Sequence, residues 1–375
     1  MSRYVVSVLG IGVIAACVLL SSPSAESGQA KSGPDAQELQ KVVNKAIDFL
    51  KTSQQADGGF SPKFAGAGIT SLVTAALLRS GANPQEPVVA KSLKYLEGKI
   101  KPDGGIYDKG LANYTTAVAL MALKEGNQDG KYKDAIKKAA DFIKKIQHDE
   151  DMTHGSYGGF GYNDKKGRPD LSNTGFSVEA LLAAGLTKDD PAVKNALAFI
   201  SRCQNLPGEK QDQAFAKKTT DDDKGGLTYD PAGGGKGDYN TAAGGLRSLG
   251  GMTYSGLKSF LYAGVSKDDE RVKAAVDWCR RHYTLEENPG MGKAGLYYYY
   301  HTFAKAMDAL GEDPFVDAKG VKHDWRFELF QTLQKQQQAN GSWRNTGERT
   351  FGEDNADLST AFALLSLSYC KAGKR

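Results

Sequence analysis

Few residues in this chain have the type and spacing to do chemistry, and most of them stand at or just before the start of an apolar helical stretch. Asp354 and Asp357 are three residues apart. Carboxyls that close shift each other's pKa, so the two could work as an acid/base pair. Asp357 or Ser359, just ahead of Thr360, would equally suit a helix N-cap. Asp170 comes before Ser172, Asn173 and Thr174 and offers one more carboxyl. His301 is a lone imidazole beside a helix start, where it could move a proton or simply hydrogen-bond. The run Tyr297-Tyr298-Tyr299-Tyr300 is the sharpest local signal. At helical spacing two of the four should face inward and two pack between helices. A set of inward phenols could form a pocket for a polar or sugar-like ligand, or pack as core with hydroxyls at a wet edge. The acidic triplet Asp221-Asp222-Asp223 is expected to be a solvated loop, because it lacks the ligand spacing of a known calcium loop.

What positions these groups is an internal repeat. Glycine turns recur at Asp57-Gly58-Gly59-Phe60, Asp103-Gly104-Gly105-Ile106, Tyr157-Gly158-Gly159-Phe160, Lys224-Gly225-Gly226-Leu227, Gly292-Lys293-Ala294-Gly295-Leu296 and Asn340-Gly341-Ser342-Trp343. After four of them a helix is measured out by one ruler: Thr70 to Gly81, Thr115 to Gly126, Thr174 to Gly185 and Thr253 to Gly264 are each eleven residues apart. Such periodicity marks stacked supersecondary units. Charged amphipathic helices are expected at about 37–54, 87–99, 131–147, 190–204, 269–283 and 322–338. They alternate with dry helices, rich in small and apolar residues, at about 69–80, 113–125, 173–184, 252–263, 297–310 and 358–370. A helix apolar on all sides must be buried. The dry set should therefore form an inner ring and the wet set an outer one. The fold class this predicts is all-α, an α/α toroid of six helical hairpins over residues 37–370, interrupted by an insertion at 205–251.

The turns and the helices before them carry a further pattern. Lys45-Ala46, Phe49-Leu50, Gln54, Gly58 and Phe60 read Lys-Ala-x2-Phe-Leu-x3-Gln-x3-Gly-x-Phe, partly repeated as Phe142-Ile143 with Gln147, Phe199-Ile200 with Gln204, and Gln337 with Gly341 and Trp343. This resembles the QW repeat of squalene cyclases and of their relatives, the protein prenyltransferase β-subunits, with Phe replacing Trp in the first copy. The resemblance implies the toroid and leaves these motif residues as scaffold. Class II terpenoid cyclases protonate an alkene with an Asp-x-Asp-Asp-Thr-Ala motif whose central carboxylic acid is the donor, held neutral and acidic by its neighbours. The nearest register here, Asp170-Leu171-Ser172-Asn173-Thr174-Gly175, puts Ser172 at the donor position. In the sixth repeat Asp357 stands one place out of step. The prenyltransferase relatives hold a catalytic zinc with Asp, Cys and His, of which only His301 has a counterpart. Zinc catalysis takes three protein ligands and an open position, so neither metal nor cofactor is expected. The thioester proteins that share the toroid carry Cys-Gly-Glu-Gln, which does not occur.

The starts of the inner helices should converge on one mouth of the toroid, with their unpaired N–H groups and positive dipole ends. The ligand-binding candidates placed there are Asn113, Tyr114, Asn173, Tyr254, Tyr299 and Tyr300. Asp170, His301, Asp354 and Asp357 are the candidate acid/base groups. The ligand is a small molecule or protein of unknown identity. A polar or sugar-like ligand and an isoprenoid both remain open, as does an enzyme with a rebuilt site.

Composition narrows the partners further. A net charge of +4 over 375 residues, with acids and bases interleaved, gives little support to nucleic-acid binding. Residues 1–25 join Arg3, an apolar run from Tyr4 to Leu20 and a small-residue stretch to Ala25, the pattern of an export signal. Residues 26–36 read as a flexible tether. An exported protein, periplasmic or extracellular, is expected. Membrane attachment would come only through the N-terminal segment, either uncleaved or lipidated at Cys17. Cys203, Cys279 and Cys370 are too far apart for a disulfide framework.

Overall fold

The computed structural model describes residues 32–108, 110–149, 151–163, 167–208, 211–232 and 239–371. The expected export signal and residues 26–31 of the tether fall outside them; the rest of the expected tether is held, Gly33 N donating to Asp324 and Asp35 capping α1, whose first residue is Ala36. Among the described residues the chain forms twelve α-helices. Six form the outer ring: α1 (Ala36–Ser53), α3 (Pro87–Glu97), α5 (Lys133–Lys145), α7 (Pro191–Arg202), α9 (Glu270–Arg281) and α11 (Trp325–Gln336). The inner six are α2 (Gly66–Arg79), α4 (Ala112–Gly126), α6 (Leu171–Ala183), α8 (Gly250–Tyr262), α10 (Leu296–Leu310) and α12 (Ala356–Leu367).

Amphipathicity sorts the helices. In α5 only Ile136, Ala139, Ala140, Phe142 and Ile143 are buried, a single stripe, whereas α12 is buried along nearly its whole length. Each inner helix packs on the next, and α12 packs back on α2, so the ring closes. Helices α3, α5, α7 and α9 lie mainly on the inner helix before them, α11 lies equally on α10 and α12, and α1 completes the sixth hairpin by packing on α12.

The repeat signature is a set of junction bolts. In the first turn Gly58 has φ +91° and lies so close to α3 that a Cβ would sit 2.3 Å from the Lys91 carbonyl oxygen. Gly341, φ +90°, meets the Lys45 carbonyl of α1 in the same way and so closes the circle. Gln54 Nε2 donates to the carbonyls of Gly58 and Val88, and Gln337 Nε2 to those of Gly341 and Val42. Gln147 and Gln204 repeat this clamp. In five of the six inner helices a threonine hydroxyl one turn inside accepts from the backbone N–H of the turn's apolar residue: Thr70 from Phe60, Thr174 from Phe160, Thr253 from Leu227 and Thr360 from Trp343. In the second repeat the acceptor is Thr116, from Ile106. The expected register at Thr115 is therefore one residue early, and Gly126 is the last helical residue instead of the stop.

The fifth junction departs from the pattern. Gly292 has no neighbouring backbone within 4 Å, and Tyr299 takes the place of the threonine. Asn288 ties this turn, accepting from Gly251 N and donating to the Ala294 carbonyl. A short antiparallel pair, β1 (Phe315–Val316) with β2 (Lys322–His323), packs beside it through a Tyr283–Phe315 ring stack. The insertion joins the rim at α6, where Leu171 N donates to the Tyr229 carbonyl and Arg168 pairs with Asp230. Asp223 corrects the expectation of a fully solvated triplet. It is buried, and its carboxylate accepts from Ser248 N and the Thr220 hydroxyl. The thiols of Cys203, Cys279 and Cys370 are buried and free.

Candidate functional site: the lumen and its two mouths

Helices α6 and α10 are separated by α8 in the ring, so any contact between them crosses the lumen. Two such contacts occur at different depths. Near the N-terminal mouth Phe176 of α6 lies 6.1 Å from Tyr298 of α10, ring centre to ring centre. This contact belongs to a continuous aromatic chain. Tyr162 packs tilted against Tyr114 at 6.4 Å, Tyr114 edge-to-face with Phe176 at 5.5 Å, Tyr298 edge-to-face with Phe362 at 5.9 Å, and Phe362 tilted against His301 at 5.5 Å. Tyr114, Ser172 and Tyr298 remain partly open to solvent, and Tyr162 on the rim is exposed. The mouth is thus a shallow dish with an aromatic floor.

Deeper by about one helical turn along α6 and about two along α10 lies the second contact. Glu179 of α6 pairs with Lys305 of α10, and with Lys258 of α8 at 3.0 Å. All three side chains are buried. The two ammonium groups hold the Glu179 carboxyl well below the usual carboxylate range against the opposing effect of burial. Burial lowers Lys305 to about 7, opposed by Glu179. The same burial, helped by Lys305, keeps His301 neutral, and its Nδ1 has no hydrogen-bond partner. Below the ion layer the lumen opens toward the C-terminal ends of the inner helices as a cavity of about 280 Å³.

The structure disperses the residues singled out in the sequence. Asp170 is the N-cap of α6: it accepts from Asn173 N at 2.8 Å and from Asn173 Nδ2 at 2.7 Å, and burial raises its pKa to about 6. Asn113 is buried between α4 and α6, donating to the Gly161 carbonyl and accepting from Ser177. Tyr254 and Tyr299 meet edge-to-face at 5.7 Å between the two rings of helices, with Tyr254 beside the Cys279 thiol of α9. The hydroxyls of Tyr299 and Tyr300 donate to the carbonyls of Thr284 and Leu285. Of the four consecutive tyrosines, Tyr298 alone joins the lumen chain, where two inward rings were expected; helix phase turns Tyr299 and Tyr300 toward the outer layer, and Tyr297 packs edge-on against Tyr300.

Asp354 and Asp357 also part company. Asn355, not Asp357 or Ser359, caps α12 by accepting from Leu358 N. Asp357 instead accepts from the Ser61 hydroxyl at 2.5 Å, locking the α2 and α12 entries together. The buried carboxyl of this loop is Glu353, which accepts from Tyr298 N at 2.8 Å and so caps α10, whose own N-cap Gly295 has no side chain. Burial raises Glu353 to about 7. Among the described residues no group of three or more His, Cys, Asp or Glu side chains could hold a metal ion.

The residues missed by sequence reading are Glu179, Lys258, Lys305, Phe176, Phe362 and Glu353, and within the tyrosine run the inward ring is Tyr298 instead of Tyr299 or Tyr300. A usable signal was present for most of them. Ser172, Phe176 and Glu179, like Tyr298, His301 and Lys305, recur at helical spacing, and Glu179, Lys258 and Lys305 are the rare charges within dry helices.

The comparisons agree with this architecture. The family model of the squalene-hopene cyclase C-terminal domain matches residues 63–220, and that of the prenyltransferase α/α-toroid domain matches residues 12–106. No curated protein matches the chain significantly. Among solved structures, a variant of the type II terpene cyclase MstE from Scytonema, without ligand, aligns at 14% identity with TM-score 0.51, covering 89% of this chain and 97% of that one. A glycosyl hydrolase of family 88 from Bacteroides vulgatus aligns at 9% identity with TM-score 0.54, covering 90% and 99%. An α-amylase from Clostridium perfringens aligns at 11% identity with TM-score 0.53, covering 88% and 97%. Identities this low speak to fold alone. Closed inner ring and junction bolts make the chain an α/α-toroid repeat protein, similar over the matched residues to the squalene-hopene cyclase and prenyltransferase families.

Proposed function

We propose that this protein is an exported binding toroid that does not cyclise isoprenoids, and that the aromatic dish at the N-terminal mouth of its inner ring holds a polar, ring-bearing ligand of the sugar class or the same group on a partner. One observation carries the reading. The lumen is crossed by Phe176–Tyr298 and, beneath it, by Glu179–Lys305. A cyclase needs a long, dry, open chamber to fold a polyene. Here side chains close the N-terminal half of the lumen, its centre is ionic, and the cavity of about 280 Å³ beyond is too small for a polyprenyl chain. Ser172, at the register where the resemblance would put the donor acid, lies at the rim, and a hydroxyl cannot protonate an alkene. The flat faces of Tyr114 and Tyr298 suit the C–H faces of a sugar, and the rim hydroxyls of Ser172 and Tyr162 supply polar contacts. Neither metal nor cofactor has a role in this reading.

An enzyme with a rebuilt site keeps one observation in its favour, the Asp170 carboxyl at about 6 beside the Tyr229 hydroxyl. Its present work as a cap argues for architecture. The test is titration calorimetry of the mature chain with oligosaccharides and with geranylgeranyl diphosphate, repeated on Tyr114→Ala and Tyr298→Ala, with product analysis after long incubation. Saccharide binding lost in both variants, without turnover, supports the proposal. Cyclised product, or isoprenoid binding tighter than saccharide binding, overturns it.

A further inference from the structure

The cavity at the opposite end of the lumen is a second site, independent of the reading of the N-terminal mouth. It is lined by Arg79, Met121, Glu125, Glu179, Leu182 and Tyr262, contributed by α2, α4, α6 and α8 near their C-terminal ends. We infer that this cavity binds a small organic monocarboxylate with a compact apolar body, its carboxylate on Arg79.

Volume sets the size. An engineered cavity of about 150 Å³ accepts benzene, and a water occupies about 30 Å³ of liquid. A space of about 280 Å³ therefore holds on the order of ten non-hydrogen atoms. That is enough for a benzoate or a short fatty acid and too little for a polyprenyl chain.

The walls set the chemistry. Met121, Leu182 and Ala183 form an apolar side for the body of the ligand. Arg79 is fixed by donating from Nε to Glu125 Oε1 at 2.8 Å and from Nη1 to the Tyr369 hydroxyl at 2.8 Å. A guanidinium has five N–H donors, so these two bonds leave it able to meet a carboxylate in the two-pronged manner Arg favours. Burial keeps the Tyr262 phenol protonated, with its one O–H hydrogen-bonded to the Tyr369 hydroxyl. The Glu179 carboxylate does not repel such a ligand strongly, because Lys258 and Lys305 already neutralise it from behind.

Charge sets the valence. Around the cavity and the ion layer above it, Arg79, Lys124, Lys258 and Lys305 face two carboxylates, Glu125 and Glu179. The carbonyl ends of four inner helices add partial negative charge, roughly half a charge each. The positive excess and the helix ends offset each other to near neutrality, so one carboxylate finds its partner in Arg79 and a second negative charge finds none.

The test is titration calorimetry of the protein with benzoate, benzamide, benzylamine and phthalate. Benzoate should bind at one site per chain, with benzamide and benzylamine at least about tenfold weaker, the factor expected from losing one charge-assisted hydrogen bond. Arg79→Gln should weaken benzoate by a similar factor. Leu182→Phe, which fills the cavity without touching a charge, should abolish binding even if Arg79→Gln fails to fold, and Tyr298→Ala at the other mouth should leave it unchanged. Equal affinity for benzamide or benzylamine, tighter binding of phthalate, benzoate binding that survives Leu182→Phe, or no benzoate binding would each overturn the inference.

Discussion

The two mouths of the lumen are built from the two ends of the same six helices, and they have opposite chemistry. At the N-terminal mouth carboxyls serve the helix ends: Asp170 caps α6 and Glu353 caps α10. At the C-terminal mouth Arg79 and Lys124 stand in the last turns of α2 and α4. Helix polarity dictates this division, since orphan N–H groups at one end call for acceptors and orphan carbonyls at the other call for cations. Between the mouths an aromatic layer and an ion layer seal one end from the other. The lesson is that a toroid offers two sites with different preferences, even where its resemblance to a family directs attention to one.

The largest effect should come from the seal itself. Glu179→Ala leaves two buried ammonium groups without their partner and should cost about 3–5 kcal/mol in urea unfolding. Replacing Glu179, Lys258 and Lys305 together by Met should recover most of that loss. A single-variant cost below about 1 kcal/mol would mean that the ion layer is solvated and the two mouths communicate. Next, Phe176→Ala removes the aromatic floor and should cost about 3 kcal/mol while joining the dish to the lumen. Uptake of a hydrophobic dye by the folded variant would show the opening, and an unchanged dye signal would count against a filled lumen.

The mouths should also differ in pH dependence. Glu353, raised from 4.5 to about 7, and Asp170, raised from 3.8 to about 6, stay protonated in the fold after they have ionised in the unfolded chain. Their contribution is complete below about pH 4 and is lost as pH rises through about 6 to 7. Lys305 has the reverse effect. Its folded value is lowered from 10.5 to about 7, so the unfolded chain binds more protons between those values and stability rises with pH across that window. Glu353→Gln should flatten the falling limb, by on the order of 1–3 kcal/mol between pH 4.5 and 7, and leave the alkaline limb intact. Identical profiles for wild type and variant would remove Glu353 from the account. The smallest effect is expected at the ring's seam, away from both mouths. Gln337→Ala should cost about 1–2 kcal/mol in thermal or urea unfolding, with ligand binding at either mouth unchanged. Altered binding there would show that closure of the ring tunes the lumen.

Much of the scaffold was legible because its causes are local. Gly58 and Gly341 recur because a turn needs positive φ beside a neighbouring backbone, and Gln54, Gln147, Gln204 and Gln337 recur because each clamps the same pair of carbonyls. The fifth junction, where Asn288 and Tyr299 do that work, could not be read from the ruler. Site residues were harder to read. Tyr299 and Tyr300 are neighbours of Tyr298 in sequence, yet one residue turns a helix by about 100°, which carries their hydroxyls out to Thr284 and Leu285. Asp357 has the look of a cap, but Ser61, from the far end of the chain, claims it.

By itself, the sequence determined that dry and wet helices alternate, that the turns between them are glycine-tight, and that the dry set must be enclosed, because periodicity and φ requirements act over a few residues. Only the tertiary structure decided what fills the enclosure. Glu179 meets Lys258 and Lys305, and Phe176 meets Tyr298, because ring closure brings together helices far apart in sequence. Buried charges tolerate that setting only when their partners arrive from across the lumen.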